Sequence, residues 1–146
     1  MRARELAALR QGWGWSGVDF VEIEAHSLFG HVLAIDALGV YHYLDPELLS
    51  LERLGDEKAA QAHMALRETQ IIWRADAHVE AATERLGATL VGEVYGFQPK
   101  ALVEGDYATD NMIRVPLAEY IRFTGDLANQ IKDLPKGAQV SIKVTD

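Results

Sequence analysis

The stretch from Pro116 to Val144, PLAEYIRFTGDLANQIKDLPKGAQVSIKV, indicates the class of fold. Apolar and small residues recur in it at spacings of three and four, so a helix aligns them as one stripe: Leu117, Tyr120, Ile121, Thr124, Leu127, Ala128, Ile131 and Leu134. Pro116 suits the first turn of that helix, and Leu134-Pro135 suits its end. The alternating residues Val140, Ile142 and Val144 then predict a strand. Because an amphipathic helix must bury its apolar stripe, we expect a sheet beneath it.

Four earlier segments are predicted to be strands of that sheet: residues 18–25, 32–35, 40–44 and 90–97. In the first of them, Val21, Ile23 and Ala25 are expected on one face, with the two glutamates on the other. The continuous apolar run at 32–35 indicates a central strand that is covered on both faces. Asp36 and Gly39 have the turn chemistry of a hairpin between the second and third strands.

Helices are predicted at residues 1–10, 56–66 and 70–86. Gly12 is expected to end the first helix, Thr69 to separate the other two, and Gly87 to cap the last. Residues 48–54 fit either a helical face or an edge strand, and residues 98–111 are predicted to form a loop. Together these elements predict a single α+β domain over residues 1–146, in which two or three helices pack on a mostly antiparallel sheet.

Composition limits the classes of function. The chain has 146 residues, of which 49% are hydrophobic and 25% charged, as in globular proteins. It contains no cysteine, which excludes disulfides, zinc-thiolate sites and cysteine nucleophiles. The first residues lack the apolar run of a secretory signal, and no segment has the length and hydropathy of a membrane span. These features predict a cytoplasmic protein.

The charge distribution indicates the kind of partner. The net charge is −8 and the pI is near 5.1, which argues against direct binding of nucleic acid because phosphates are bound by clustered Lys and Arg. From residue 11 to residue 52 there is no Lys or Arg, but seven acids occur: Asp19, Glu22, Glu24, Asp36, Asp45, Glu47 and Glu52. The predicted loop at 98–111 adds Glu104, Asp106 and Asp110. This surface fits either a solvated face that aids solubility or a docking surface for a basic partner.

Motifs of catalysis are missing from the sequence. There is no HExxH pair, GxSxG elbow, phosphate loop or dinucleotide fingerprint. His31 and His42 are expected to face each other across the hairpin rather than to bind a metal. We therefore predict a protein that is not an enzyme and has no cofactor or metal. Two alternatives stay open: a module that binds a small ligand beneath Trp13, Trp15 and Tyr95, and a hydrolase that uses carboxylates.

Several stretches resemble the immunity-protein domain of type VI secretion systems. They are Gly12-Trp13-Gly14-Trp15, Phe29-Gly30, Asp36, Gly39-Val40-Tyr41, Asp45-Pro46-Glu47-Leu48, Trp73, Val79, Ala82, Leu86-Gly87, Tyr95, Gly105, Tyr107, Asn111, Phe123-Thr124-Gly125-Asp126-Leu127-Ala128, Gln130-Ile131-Lys132-Asp133-Leu134-Pro135 and Gly137. The resemblance covers nearly the whole chain, and its most specific part is the stretch from Phe123 to Gly137. The sequence differs from the family pattern at two places. Residues 97–107 are more acidic and poorer in glycine than in the family, and His42 stands where the family has an aromatic or hydrophobic residue.

The resemblance implies an antitoxin without enzymatic activity. Such a protein binds a cognate secreted toxin, in several members a DNase, and blocks it inside the producing cell and its siblings. An acidic binder suits this role, because a nuclease presents a basic surface to its phosphate substrate. We therefore predict that the acids from Asp19 to Glu52, together with Glu104, Asp106 and Asp110, form the side that faces the toxin.

Overall fold

A computed structural model describes residues 2–134, which form six helices and six strands. The helices are α1 Ala3–Trp13, α2 Glu57–Ala65, α3 Arg67–Arg74, α4 Asp76–Leu86, α5 Pro99–Glu104 and α6 Leu117–Ile131. The strands are β1 Phe20–His26, β2 Val32–Asp36, β3 Tyr41–Asp45, β4 Ser50–Gly55, β5 Glu93–Phe97 and β6 Met112–Pro116. The α+β prediction is confirmed. The strand predicted around Val140 lies outside the described residues.

The strands form two antiparallel sheets rather than one. Four strands pair in the order β1-β2-β3-β4, and β5 pairs with β6. The segment at 90–97 was expected in the first sheet, but its strand pairs with Met112–Pro116, a short segment that was not predicted to be a strand. The sheets are linked where the Tyr95 N–H donates to the Leu28 carbonyl at 2.8 Å. As predicted, β2 is central, and the ambiguous segment at 48–54 forms the edge strand β4.

Buried and exposed side chains do not alternate along β1 as the sequence predicts. Its pairing with β2 shifts register between Phe20 and Glu22 and again between Ile23 and Ala25. Each shift adds a residue to one strand and turns the following side chains to the other face. Phe20 and Ile23 are therefore buried, whereas Val21 is exposed and the prediction that it lies on the core face was wrong.

The hairpin between β2 and β3 has the predicted turn. One carboxylate oxygen of Asp36 accepts the N–H groups of Leu38 and Val40, at 2.8 and 3.0 Å. Its other oxygen lies 2.9 Å from the Nε2 atom of the buried His42. Gly39 has a φ of +80°, which glycine adopts without a steric penalty. Asp36 thus joins the turn to the core face of β3.

Replacing Asp36 by alanine is expected to lower the free energy of unfolding by about 2 kcal/mol at neutral pH, because a buried imidazole and two N–H groups lose their acceptor. The hydrogen bond from His42 lowers the pKa of Asp36, burial opposes this, and the turn N–H groups add to the lowering. A lowered pKa stabilises the fold above the unfolded value of about 4, and this contribution is lost as the pH falls through the folded value.

The gap in stability between wild type and Asp36→Ala should therefore narrow in acid. Urea unfolding at pH 7 and at pH 3 measures it, with the exposed Asp19→Ala as the matched control. A gap that stays constant over this range would show that the carboxylate charge of Asp36 contributes nothing.

The helical region at 56–86 contains three helices instead of two. The first break is at Leu66, whose backbone is extended, and Thr69 is buried within α3 rather than interrupting a helix. The second break is at Ala75, which has a φ of +46°. Alanine rarely adopts this left-handed conformation, so the amino-acid composition did not predict a helix break at this position.

Helices α1 and α6 touch through glycines. A Cβ on Gly125 would lie 2.7 Å from Trp13 Cδ1 and closer still to the Gly12 carbonyl, and a Cβ on Gly12 would lie 2.7 Å from the Arg122 carbonyl oxygen. The Trp13 indole is fully buried and donates to the Ile121 carbonyl at 3.0 Å. Gly12 was expected to end α1 near residue 10; instead the helix runs to Trp13, because Gly12 permits close helix contact.

Six residues of the predicted apolar stripe are buried in the core, whereas Ile131 is only partly buried and Leu134 is exposed beyond the end of α6; the six are Leu117, Tyr120, Ile121, Thr124, Leu127 and Ala128. Tyr120 enters a notch made by two glycines. A Cβ on Gly30, which precedes β2, would lie 2.6 Å from the tyrosine ring, and one on Gly96 of β5 would overlap it. The Tyr120 hydroxyl accepts the Phe97 N–H at 3.2 Å. One side chain therefore packs against residues from both sheets.

Among residues 2–134, the structure has no helix with the length and apolar character needed to cross a membrane.

Candidate functional site

A histidine and two carboxylates meet at the end of the β2–β3 hairpin away from its turn. Val32 pairs with Leu44, so His31 and Asp45 lie across from each other, one residue beyond that pair. Glu47 follows in the turn between β3 and β4. Asp45 shapes this turn, because one of its oxygens accepts the N–H groups of Glu47 and Leu48 at 3.0 and 3.1 Å. Strand register and turn chemistry together place the three side chains.

The imidazole of His31 contacts both carboxylates. Its Nε2 atom is hydrogen-bonded to Glu47 Oε2 and lies 3.9 Å from Asp45 Oδ1. Its Nδ1 atom lies 2.9 Å from the Tyr43 hydroxyl. The His31 side chain is 1% exposed, whereas those of Asp45 and Glu47 are 15% and 19% exposed. In a neutral imidazole, Nε2–H donates to Glu47 and Nδ1 accepts the Tyr43 proton, so both ring nitrogens are satisfied.

The electrostatics follow from burial and negative charge. Burial raises the pKa of Asp45 and the nearby Glu47 adds to the rise, while His31 and the turn N–H groups oppose it. Burial also raises the pKa values of Tyr43 and Tyr107, and the neighbouring carboxylates raise them further. Both tyrosines therefore remain neutral hydroxyl groups.

A cleft of about 690 Å³ opens beside Asp45 and Glu47. It runs along the joint between α3 and α4 and is lined by Ile71, Ile72, Arg67, Arg74, His78 and Tyr107, among others. The Tyr107 hydroxyl donates to the Glu47 carbonyl at 2.7 Å, which ties the segment after α5 to the β3–β4 turn. The region at 98–111, predicted as a loop, contains α5 and a 3-10 turn at Thr109–Asn111. Tyr107, which lines the cleft, lies between these two elements.

The predicted partner-binding acids fall into separate groups. Asp19, Glu22 and Glu24 are exposed on or next to the edge strand β1. Asp36 is hydrogen-bonded within its hairpin, Asp45 and Glu47 contact His31, and the exposed Glu52 lies 3.8 Å from His63. Glu104, Asp106 and Asp110 are exposed around the segment that Tyr107 ties to Glu47.

The first group extends around Tyr41. Burial raises the pKa of Tyr41, and the negative charges of Glu57, Glu24 and Glu22 raise it further. Glu57 stands in the first turn of α2 and was not among the predicted acids. We call Tyr41, Glu22, Glu24 and Glu57 the Tyr41 surface.

The expectation that His31 and His42 face each other was wrong, and two of the three aromatic residues of the alternative ligand site are buried. His31 and His42 do not face each other, because His42 pairs with Ala34 and contacts Asp36, whereas His31 contacts Tyr43 and Glu47. Trp13 and Tyr95 are fully buried and hydrogen-bonded to carbonyl groups, so neither offers a surface to a ligand.

The chain matches no protein-family model and no curated protein sequence. The resemblance to an immunity domain therefore stays a prediction.

Proposed function

We propose that this protein is an immunity protein that binds a cognate toxin, a nuclease, and neutralises it through an acidic surface. The observation that carries the proposal is the Tyr41 surface, where two carboxylates of β1 and one of α2 raise the pKa of one tyrosine. The segment from residue 11 to residue 52 supplies no Lys or Arg to offset their charge. The resemblance suggests the class of partner, and this arrangement of charge suits it.

The charge acts on both binding and inhibition. A nuclease needs a basic surface to hold the phosphates of its substrate. An acidic protein is steered towards such a surface at long range and then competes with nucleic acid for the same cations. Inhibition therefore requires no catalytic group in the immunity protein.

Tyr41 is suited to the centre of such an interface. It lies in a strand paired on both sides, by β2 and by β4, so little conformational entropy is lost when a partner covers it. Tyrosines in such positions often dominate binding energy, while charged groups around them set orientation and association rate. Glu22 and Glu24 lie on the edge strand β1, and Glu57 lies in the first turn of α2.

The test is charge reversal with a matched control. Glu22→Lys/Glu24→Lys changes the net charge by the same amount as Glu80→Lys/Glu84→Lys, whose sites are exposed on α4. The partner is the product of the adjacent reading frame, in an inactive form for the binding measurement and in its active form for the growth assay. We expect the first variant to associate about tenfold more slowly at low salt and to lose protection in a growth assay. The control variant should bind and protect like the wild type.

The salt dependence of the association rate distinguishes electrostatic steering from other effects of the substitutions. The wild-type association rate should fall steeply as salt rises, and the rate of Glu22→Lys/Glu24→Lys should depend on salt much less. Circular dichroism verifies that both variants are folded. Equal losses in the two variants would place the interface elsewhere, and the absence of any complex with the wild type would refute the partner.

A further inference from the structure

We infer that His31, Asp45 and Glu47 form a binding site for a divalent transition-metal ion, with Zn²⁺ as the preferred ion. One donor atom of each residue lies within 4.8 Å of the other two. An imidazole with two carboxylates is a donor set that Zn²⁺ accepts, whereas Mg²⁺ prefers oxygen donors alone. The three residues of this site are distinct from those of the Tyr41 surface.

The spacing of the donors suits a small ion. Two ligand atoms that bind Zn²⁺ at about 2.0 Å in a tetrahedral arrangement lie roughly 3.3 Å apart. His31 Nε2 and Asp45 Oδ1 are 3.9 Å apart, so a modest approach brings them to this separation. Glu47 Oε2 now occupies the hydrogen-bonding position at Nε2, and its side chain has to move outward as the ion enters. The partly exposed Glu47 side chain has room on the cleft side for that movement.

The surroundings orient the ligands. His31 Nδ1 lies 2.9 Å from the Tyr43 hydroxyl, so the tautomer with Nδ1–H can donate to that oxygen and leave the Nε2 lone pair for the ion. Asp45 is held by the two turn N–H groups, and the Glu47 backbone is held by the Tyr107 hydroxyl. These contacts orient His31 and Asp45 before the ion arrives, which lowers the entropic cost of binding, and only the Glu47 side chain has to move.

The site is closed on one side and open on the other. His31 approaches from the core, where it is 1% exposed, while Asp45 and Glu47 both line the cleft. Three protein ligands leave a fourth position of the ion facing the cleft, where water or a ligand atom completes the coordination. The apolar residues Ile71 and Ile72 line the same cleft and suit a ligand with an apolar part.

Metal binding is tested by titrating the metal-stripped full chain with ZnCl₂ in a calorimeter, alongside MgCl₂. The informative variant is Glu47→Gln, which keeps the size and the acceptor oxygen but removes the charge. The matched control is Glu52→Gln, since Glu52 is an exposed carboxylate that lies 3.8 Å from His63 and does not belong to the His31 cluster. We expect one Zn²⁺ per wild-type chain, unchanged binding in the control, and at least about tenfold weaker binding in Glu47→Gln.

Elemental analysis of the dialysed protein gives an independent measure of stoichiometry, and near-ultraviolet circular dichroism verifies the fold of each variant. Asp45→Asn provides a second variant, because its amide oxygen retains the turn hydrogen bonds while its ligand strength falls. The inference is overturned if the wild type binds no stoichiometric Zn²⁺. It is equally overturned if Glu47→Gln and Asp45→Asn both bind Zn²⁺ as tightly as Glu52→Gln.

Discussion

Replacing Gly125 by alanine is expected to lower the free energy of unfolding by about 3 kcal/mol, although alanine is the better helix former by about 1 kcal/mol. The new methyl group would lie 2.7 Å from Trp13 Cδ1 and would overlap the Gly12 carbonyl. A backbone group cannot rotate away as a side chain can. The variant must therefore separate α1 from α6 and weaken the contacts around the buried Trp13 indole.

Gly14→Ala is the matched control. Gly14 follows α1 directly and has a φ of −62°, and a methyl group added to it would have no other atom within 4 Å. Its replacement should change the free energy of unfolding by less than about 0.5 kcal/mol. Urea unfolding followed by tryptophan fluorescence reports on both variants, because Trp13 lies at the helix contact. Equal stability of the two variants would contradict close packing at Gly125.

Replacing Tyr120 by alanine is expected to cost about 4 kcal/mol, the largest effect of any change considered. The ring fills the notch between Gly30 and Gly96, and neither glycine has a side chain that could expand into the cavity. The hydroxyl also accepts the buried Phe97 N–H. The alanine variant thus removes packing between the two sheets and leaves a donor without its acceptor.

Tyr120→Phe separates these two contributions. Phenylalanine keeps the ring in the notch and removes only the hydroxyl, so we expect a loss of about 1 to 2 kcal/mol from the unpaired Phe97 N–H. Thermal unfolding in a calorimeter measures both variants. If Tyr120→Phe were as unstable as Tyr120→Ala, hydrogen bonding rather than ring packing would join the sheets.

The sequence predicts local structure well where interactions between residues close together in the chain determine the conformation. The stripe of α6 and the turn at Asp36 both follow from neighbours in the chain, and both are confirmed. Strand β6 was not predicted because its five residues, which include Arg114 and end in a proline, show no clear alternation of polar and apolar side chains. The helix break at Ala75 was not predicted, because packing holds this alanine at a positive φ that alanine does not itself prefer.

The His31 cluster could not be predicted because it depends on register. Pairing of Val32 with Leu44 sets Asp45 across from His31, whereas the expected facing of His31 and His42 needs a different register. The continuous apolar run of β2 has no alternation that would select one of these registers. The contribution of Glu57 to the Tyr41 surface could not be predicted from the sequence either, because it depends on how α2 packs against the sheet.

The contact of α1 with α6 has a consequence for the order of synthesis. Trp13 donates to a carbonyl 108 residues later in the chain, so its indole lacks this acceptor until α6 has been made. At about 5 to 20 residues per second, a ribosome needs roughly 5 to 20 s to make that intervening stretch. During this time the indole and its neighbours remain exposed to chaperones and to other nascent chains. Complete folding therefore begins only after most of the chain has left the ribosome.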